Sequence, residues 1–360
     1  MRELHGGNVH RLVRQYGEQG WLDFSANINP LGLPASVRHA LTKQLDCLLQ
    51  YPDPDYVQLR QSLAEYCHQP IQRIIQGNGA TELIYLYFKA VSPNNVLIIA
   101  PTFAEYQRAA EAVGAEVDFC QLEGESEFSL CFAQLAKQLQ AKRYDVLVVC
   151  NPNNPTGQFI DLAQMAQLAK LAQANDCRLL VDEAFIEFVD QGEASSIASL
   201  SLPHVFVIRA LTKFFALPGI RLGFAICHDL ALTERILHIR EPWSVNALAE
   251  VAAIAAVQDA AYMEASWQWL NAERAFIMDE LAQLPGWVTY PSRVNFVLCQ
   301  LPPVWQATAL REVLLDQGIV IRNASNFQGL DESYIRLAIK SRADNQRLIT
   351  TLRQLSFYDA

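Results

Sequence analysis

The chain has no CxxC pair, no cysteine beside a histidine cluster, no apolar run long enough to cross a bilayer and no excess of positive charge. Each absence removes a class of protein. The eight cysteines, at 47, 67, 120, 131, 150, 177, 227 and 299, are scattered, which argues against a zinc site or a disulfide framework and for reduced thiols in a core. No metal is expected. No stretch reaches the roughly 18 to 20 apolar residues of a membrane span, and residues 1–20 are charged throughout, without the apolar centre of a signal peptide. A cytoplasmic location with no membrane attachment is expected. A net charge of −10 gives no global pull toward nucleic acid, so small molecules are the expected partners, with room for a local basic pocket. Internal repeats, low-complexity tracts and long Gly/Ser linkers are also missing. What is present is 360 residues, 51% hydrophobic and 18% charged, enough for a large core and about two closely packed domains.

Residues 1–35 are rich in Gly, Asn and Pro with little periodicity, which predicts an extended arm that finds its partners elsewhere. Farther on, helix-like stretches alternate with short solid apolar runs: Val96–Ala100, Val146–Cys150, Arg178–Val181, Val205–Ile208 and Leu222–Ile226. Runs without polar alternation fit strands covered on both faces, and so an α/β domain with a mostly parallel sheet. Asp161 to Asn175 keeps the apolar spacing of a crossover helix, and the Ala-rich stretch 246–261 reads as one buried helix. Beyond 262 a helix, strands near 287–290 and 294–298, a helix near 307–317, strands near 319–322 and 334–339, and a last helix announced by Ser341-Arg-Ala-Asp344 predict a smaller α+β domain.

Three segments can carry chemistry together. Lys213 sits in Arg209-Ala-Leu-Thr-Lys-Phe-Phe-Ala-Leu-Pro-Gly-Ile-Arg221; its amine can condense with a cofactor aldehyde while Thr212 and Arg221 hold a phosphate. Asp182, directly after the apolar run ending at Val181, lies where open α/β sheets bind ligands, and a carboxylate there can pair with a protonated pyridine nitrogen. Asn154, before Pro155-Thr156-Gly157, can donate to a phenolic oxygen; a plain Asn-Pro turn accounts for the same residues. The turn Gly77-Asn-Gly79-Ala80-Thr81-Glu82 opens a helix whose free amides can receive a phosphate, and an N-cap by Asn78 or Thr81 would explain it without a ligand. Phe103, after the strand at 96–100, can stack on a flat ring or simply fill the core.

With these residues in view, the chain resembles the fold-type I pyridoxal-phosphate enzymes over nearly its full length, in the branch shared by histidinol-phosphate aminotransferases and L-threonine-O-3-phosphate decarboxylases. The resemblance implies that Lys213 links covalently to pyridoxal 5′-phosphate, that Asp182 binds the ring nitrogen and Asn154 the phenolic oxygen, and that Gly79, Ala80, Thr81, Thr212 and Arg221 surround the phosphate. It implies a homodimer in which Tyr51 reaches the neighbouring subunit's phosphate. It also implies an arm (1–35) packed on the small domain and active site, a large cofactor-binding domain (36–255) and a small C-terminal domain (256–360). The arm motifs His5-Gly-Gly-Asn8 and Asp23 to Gly32, and Pro242-Trp-Ser-Val-Asn246, are similar to those of the decarboxylases. Phe185 departs from the aminotransferases, which place a tyrosine three residues after the aspartate. On this resemblance Arg336 is expected to hold the substrate carboxylate, and Arg322, His5 and Asn27 the substrate phosphate. The expected reaction is decarboxylation of L-threonine O-3-phosphate to (R)-1-amino-2-propanol O-2-phosphate in cobalamin biosynthesis. The alternatives are amino transfer from histidinol phosphate and, from another class, a non-catalytic α/β binding protein.

Overall fold

The computed structural model describes residues 6–18, 20–189 and 192–356. Along the chain the strands are β1 (Leu22–Asp23), β2 (Ile74–Gly77), β3 (Asn95–Ala100), β4 (Glu116–Gln121), β5 (Val146–Cys150), β6 (Arg178–Asp182), β7 (Val205–Ala210), β8 (Gly223–Cys227), β9 (Val288–Thr289), β10 (Phe296–Gln300), β11 (Ile319–Val320), β12 (Arg322–Asn323) and β13 (Tyr334–Ala338). The helices are α1 (Val9–Tyr16), α2 (Ala35–Lys43), α3 (Val57–Tyr66), α4 (Ala80–Val91), α5 (Glu105–Glu111), α6 (Phe132–Ala141), α7 (Leu162–Ala174), α8 (Leu230–Ile239), α9 (Ala247–Val257), α10 (Ala260–Ala282), α11 (Ala307–Asp316) and α12 (Arg342–Ser356).

Seven strands form one sheet in the order β2-β8-β7-β6-β5-β3-β4. The pairs from β4 through to β7 are parallel, while β8 runs antiparallel to both β7 and β2. The solid apolar runs follow from burial on both faces: Val146, Val148 and Cys150 enter one core layer with α4, α5 and α8, whereas Leu147 and Val149 enter the other with α3, α6, α7 and α9. Asp161 caps α7 by accepting from Gln164 N–H at 2.8 Å.

Beyond α10, a second, antiparallel sheet has the order β12-β13-β10-β9. Its last helix is capped as the sequence predicts, Ser341 Oγ donating to Asp344 Oδ2 at 2.6 Å and accepting from Asp344 N–H at 3.3 Å. Three expectations need correction. The arm is not extended throughout: Val9–Tyr16 is helical, with Leu12 buried against Leu315 and Val320. The stretch 246–261 is two helices, because Asp259 caps a new one by accepting from Tyr262 N–H at 2.9 Å. The strand near 319–322 is split, β11 pairing in parallel with β1 and β12 antiparallel with β13. Through the β1–β11 pair, and through Ala338 N–H donating to Phe24 O at 2.9 Å, residues 22–24 are stitched to the C-terminal sheet of the same chain.

Candidate active site

The carboxyl ends of β5, β6 and β7 open onto a cavity of about 430 Å³, at the place where parallel sheets present backbone and side chains to ligands. Lys213 stands on the turn after β7, anchored by the fully buried rings of Phe214 and Phe215 and by its own carbonyl, which accepts from Asn29 N–H at 3.1 Å. Burial, with Arg336 and Arg221 nearby, pushes its amine down to about 8. Such a lysine is a nucleophile near neutral pH.

Asp182 is the last residue of β6. Its Oδ2 accepts from the Tyr106 hydroxyl at 2.6 Å and its Oδ1 from Ala184 N–H at 2.8 Å. Burial raises its proton affinity, and neither Lys213, Arg221 nor Arg336 bonds to it. A buried carboxylate without a cation is costly, so a protonated heterocyclic nitrogen is the partner it lacks. The loop after β5 is tied to the same strand end, since Asn151 N–H donates to Asp182 O at 2.8 Å. On that loop, Asn154 Oδ1 accepts from Arg336 Nη1, which leaves its amide nitrogen as the donor for anything in the cavity.

A phosphate-sized corner lies at the start of α4. The cap there is Gly79, with φ of +82° and no side-chain capping bond, and not Asn78 or Thr81. The helix therefore keeps unsatisfied amides and the positive end of its dipole. A Cβ on Gly79 would lie 2.6 Å from Arg221 Nη2, and one on Gly223 would lie 2.6 Å from Ala80 N; both glycines let backbone and guanidinium close around the corner. Ala80, Thr81, Thr212 and Arg221 line it, and Phe103 lines the cavity above, edge-on to Tyr106 with centroids 5.7 Å apart.

At the other end, Arg322 and Arg336 face each other in register on β12 and β13. Arg336 donates through Nη2 to Ser25 O at 2.7 Å and rests on Phe296; burial and Arg322 push it down to about 9. Arg322 donates to Asn326 Oδ1 at 2.7 Å over the Phe327 ring. Like charges directly opposite on paired strands destabilise a sheet, and an anion bound in the cavity would offset that repulsion. Asn27 is buried in the same wall with its Oδ1 unpartnered. Phe185 is buried against Phe296 and Phe188, so no hydroxyl stands three residues after Asp182.

Together these groups fit pyridoxal phosphate: a nucleophilic amine, an unpaired buried carboxylate, an amide donor and a glycine-lined anion corner surround one cavity. Tyr51 does not enter it; the ring is 81% exposed and packs on Trp243 at 5.0 Å. His5 lies outside the described residues. Tyr106, Ser25 and Asn326 escaped the sequence reading, the first two because their partners Asp182 and Arg336 are far away in the chain, the third although Arg322 is only four residues off; the one signal for Tyr106 was its place three residues after Phe103.

The family model for aminotransferases of class I and II matches residues 19–352. A threonine-phosphate decarboxylase of Salmonella typhimurium is 40% identical, over 98% of this chain and 96% of the relative. Among solved structures, a histidinol-phosphate aminotransferase of Clostridium acetobutylicum superposes with a TM-score of 0.87 at 35% identity, over 94% of this chain and 99% of its own. An L-threonine-O-3-phosphate decarboxylase of Porphyromonas gingivalis gives 0.80 at 27% identity, over 93% and 99%.

Proposed function

The chain belongs to the aminotransferase class I and II family, and on that premise we propose that it is a pyridoxal-phosphate-dependent carboxy-lyase that converts L-threonine O-3-phosphate into (R)-1-amino-2-propanol O-2-phosphate and carbon dioxide. The observation that carries this reading is the buried, in-register pair Arg322 and Arg336 facing the cavity that holds Lys213. Threonine phosphate offers such a pair a phosphate and a carboxylate in one molecule, whereas the aminotransferase reaction divides these anions between two substrates, histidinol phosphate and 2-oxoglutarate. The 40% identity to a threonine-phosphate decarboxylase supports the same branch. In this reading the product enters cobalamin biosynthesis.

When bound, pyridoxal phosphate supplies an aldehyde for the substrate amine and a ring that takes up the electron pair released at the alpha carbon. The protein's part is to hold and orient. Gly79, Ala80, Thr81, Thr212 and Arg221 hold the cofactor phosphate, Asn154 donates to the phenolic oxygen, Phe103 covers the ring face, and Asp182 holds a proton at the ring nitrogen. Lys213 supplies the covalent anchor and, in this reading, would return a proton to the alpha carbon. Arg336 grips the substrate carboxylate, and Arg322 with Asn27 and His5 the substrate phosphate; two fixed grips set the rotation about the alpha carbon and so which bond breaks. Phe185 withholds a hydroxyl from the phenolic oxygen.

In this reading residues 1–35 cover the site, 36–255 form the cofactor-binding body and 256–360 the smaller C-terminal part. The enzyme is a cytoplasmic homodimer in which Tyr51 reaches the neighbour's cofactor phosphate, as its exposure allows. Neither membrane nor nucleic acid has a part in it; no helix among the described residues is long and apolar enough to cross a bilayer.

The test is to load purified protein with cofactor, supply L-threonine O-3-phosphate and follow carbon dioxide, with histidinol phosphate plus 2-oxoglutarate in parallel. Carbon dioxide without glutamate is the expected result. Glutamate without carbon dioxide would assign the chain to the aminotransferases, the reading that the 35% identical solved structure favours.

A further inference from the structure

Beside Asp182, in the wall of the cavity, lies a small buried polar cluster that the proposed chemistry leaves unused. Tyr106, on the second residue of α5, is fully buried, and its hydroxyl donates to Asp182 Oδ2 at 2.6 Å. Cys150, in register beside Asp182 on β5, and the buried Thr102 next to it are further polar groups there; burial pushes the Cys150 thiol up to about 12, so it carries no charge, and the Thr102 hydroxyl is neutral. From β7 the neighbour in register is Ile208, which is apolar. The remaining donor is Ala184 N–H, on the other carboxylate oxygen. Lys213, Arg221, Arg322 and Arg336 line other parts of the same cavity.

A carboxylate facing a protonated ring nitrogen shares one proton with it, and burial favours the neutral pair in which that proton has moved to the carboxylate. A donor to the carboxylate opposes that shift. We propose that Tyr106 is a positioning residue which, by donating to Asp182 Oδ2, keeps the carboxylate ionised and the shared proton on the cofactor's ring nitrogen. This rests on the cofactor reading given above. Burial, followed by the charge of Asp182, raises the Tyr106 hydroxyl well above the ordinary tyrosine range, so it remains a donor across the working pH range. The edge-on contact with Phe103 fixes the ring from which it donates.

The experiment uses the full-length protein loaded with pyridoxal phosphate labelled with ¹⁵N in the ring, compared with Tyr106→Phe, which removes the hydroxyl and keeps the ring that packs on Phe103. In the parent, the nitrogen resonance is expected at the pyridinium position. In Tyr106→Phe the ratio of ring-bound to carboxylate-bound proton should fall by roughly ten- to a hundredfold, the worth of a hydrogen bond to a charged group, moving the signal toward neutral pyridine. A purely structural tyrosine would lower the melting temperature and leave the signal in place, and that result overturns the proposal. Should Tyr106→Phe not fold, 4-aminophenylalanine at position 106, a weaker donor of the same shape, is expected to move the signal part of the way toward neutral pyridine; a signal that stays at the parent position overturns the proposal. A parent that binds no cofactor overturns both readings, whereas a parent that binds it with a nitrogen signal indifferent to Tyr106 overturns only this one.

Discussion

Lys213 combines two properties at one residue, a turn position just after β7 and an amine pushed down to about 8. Below that value the amine is a cation and unreactive; above it the neutral form attacks. Cofactor capture by the cofactor-free protein is therefore expected to quicken as pH rises and to reach half its limiting rate near pH 8, not near the ordinary lysine value. Stopped-flow absorbance of the lysine–cofactor linkage between pH 6 and 10 checks this. Lys213→Ala should lose both that absorbance and turnover; turnover retained without an added amine would remove Lys213 from the chemistry. Lys213, Asp182 and Asn154 were legible because each ends or follows a solid apolar run, and Arg221 because it lies in the lysine's own motif. Tyr106 was not, because it meets Asp182 from 76 residues away, and no local pattern encodes a hydroxyl pointing beneath another strand.

Strand ends, more than single side chains, set the distance between Asp182 and Lys213. Arg209, fully buried on β7, binds Glu187 at 2.7 Å, Glu193, and at longer range Glu183, all from the segment after β6. Removing the guanidinium leaves glutamates buried without a counterion, so Arg209→Met should cost about 3 to 5 kcal/mol. The sign with pH follows from the carboxyls. Glu183 is already raised to about 7 by burial, and without Arg209 the buried glutamates are raised further above their unfolded values. They then fold readily only when protonated, so the deficit should be smaller at pH 5.5 than at pH 8 in urea denaturation. The strands that hold this cluster could be read from sequence because double burial strips them of polar alternation. β2 is four residues long and gives little signal, and β4 lies at the sheet edge with Glu116 exposed. Helix α1 does carry apolar residues at helical spacing (Val9, Leu12, Val13, Tyr16), but Gly6, Gly7 and Gly17 around it read as loop, and its stability comes from Leu315 and Val320, far off in the chain.

At the scale of the whole molecule, apolar side chains that a lone subunit leaves uncovered gather near Tyr51. Leu45, Leu48, Leu49 and Val57 are all more than half exposed, and Trp243 is 46% exposed beneath Tyr51. Patches of this kind mark association surfaces, and light scattering is expected to give about twice the 40.4 kDa chain mass. Leu48→Glu with Leu49→Glu should shift the protein toward the monomer and weaken cofactor retention in proportion, because Tyr51 would have no neighbour to reach; a double variant that stays dimeric removes this surface from the interface. The facing arginines of β12 and β13 carry a practical consequence. Any small dianion that settles between them binds the folded chain and not the unfolded one, so by mass action inorganic phosphate or sulfate should raise the melting temperature of the cofactor-free protein while competing with substrate. Activity assayed in phosphate buffer would then understate substrate affinity in the sample that looks most stable, and a zwitterionic buffer is the medium in which this enzyme's KM should be measured.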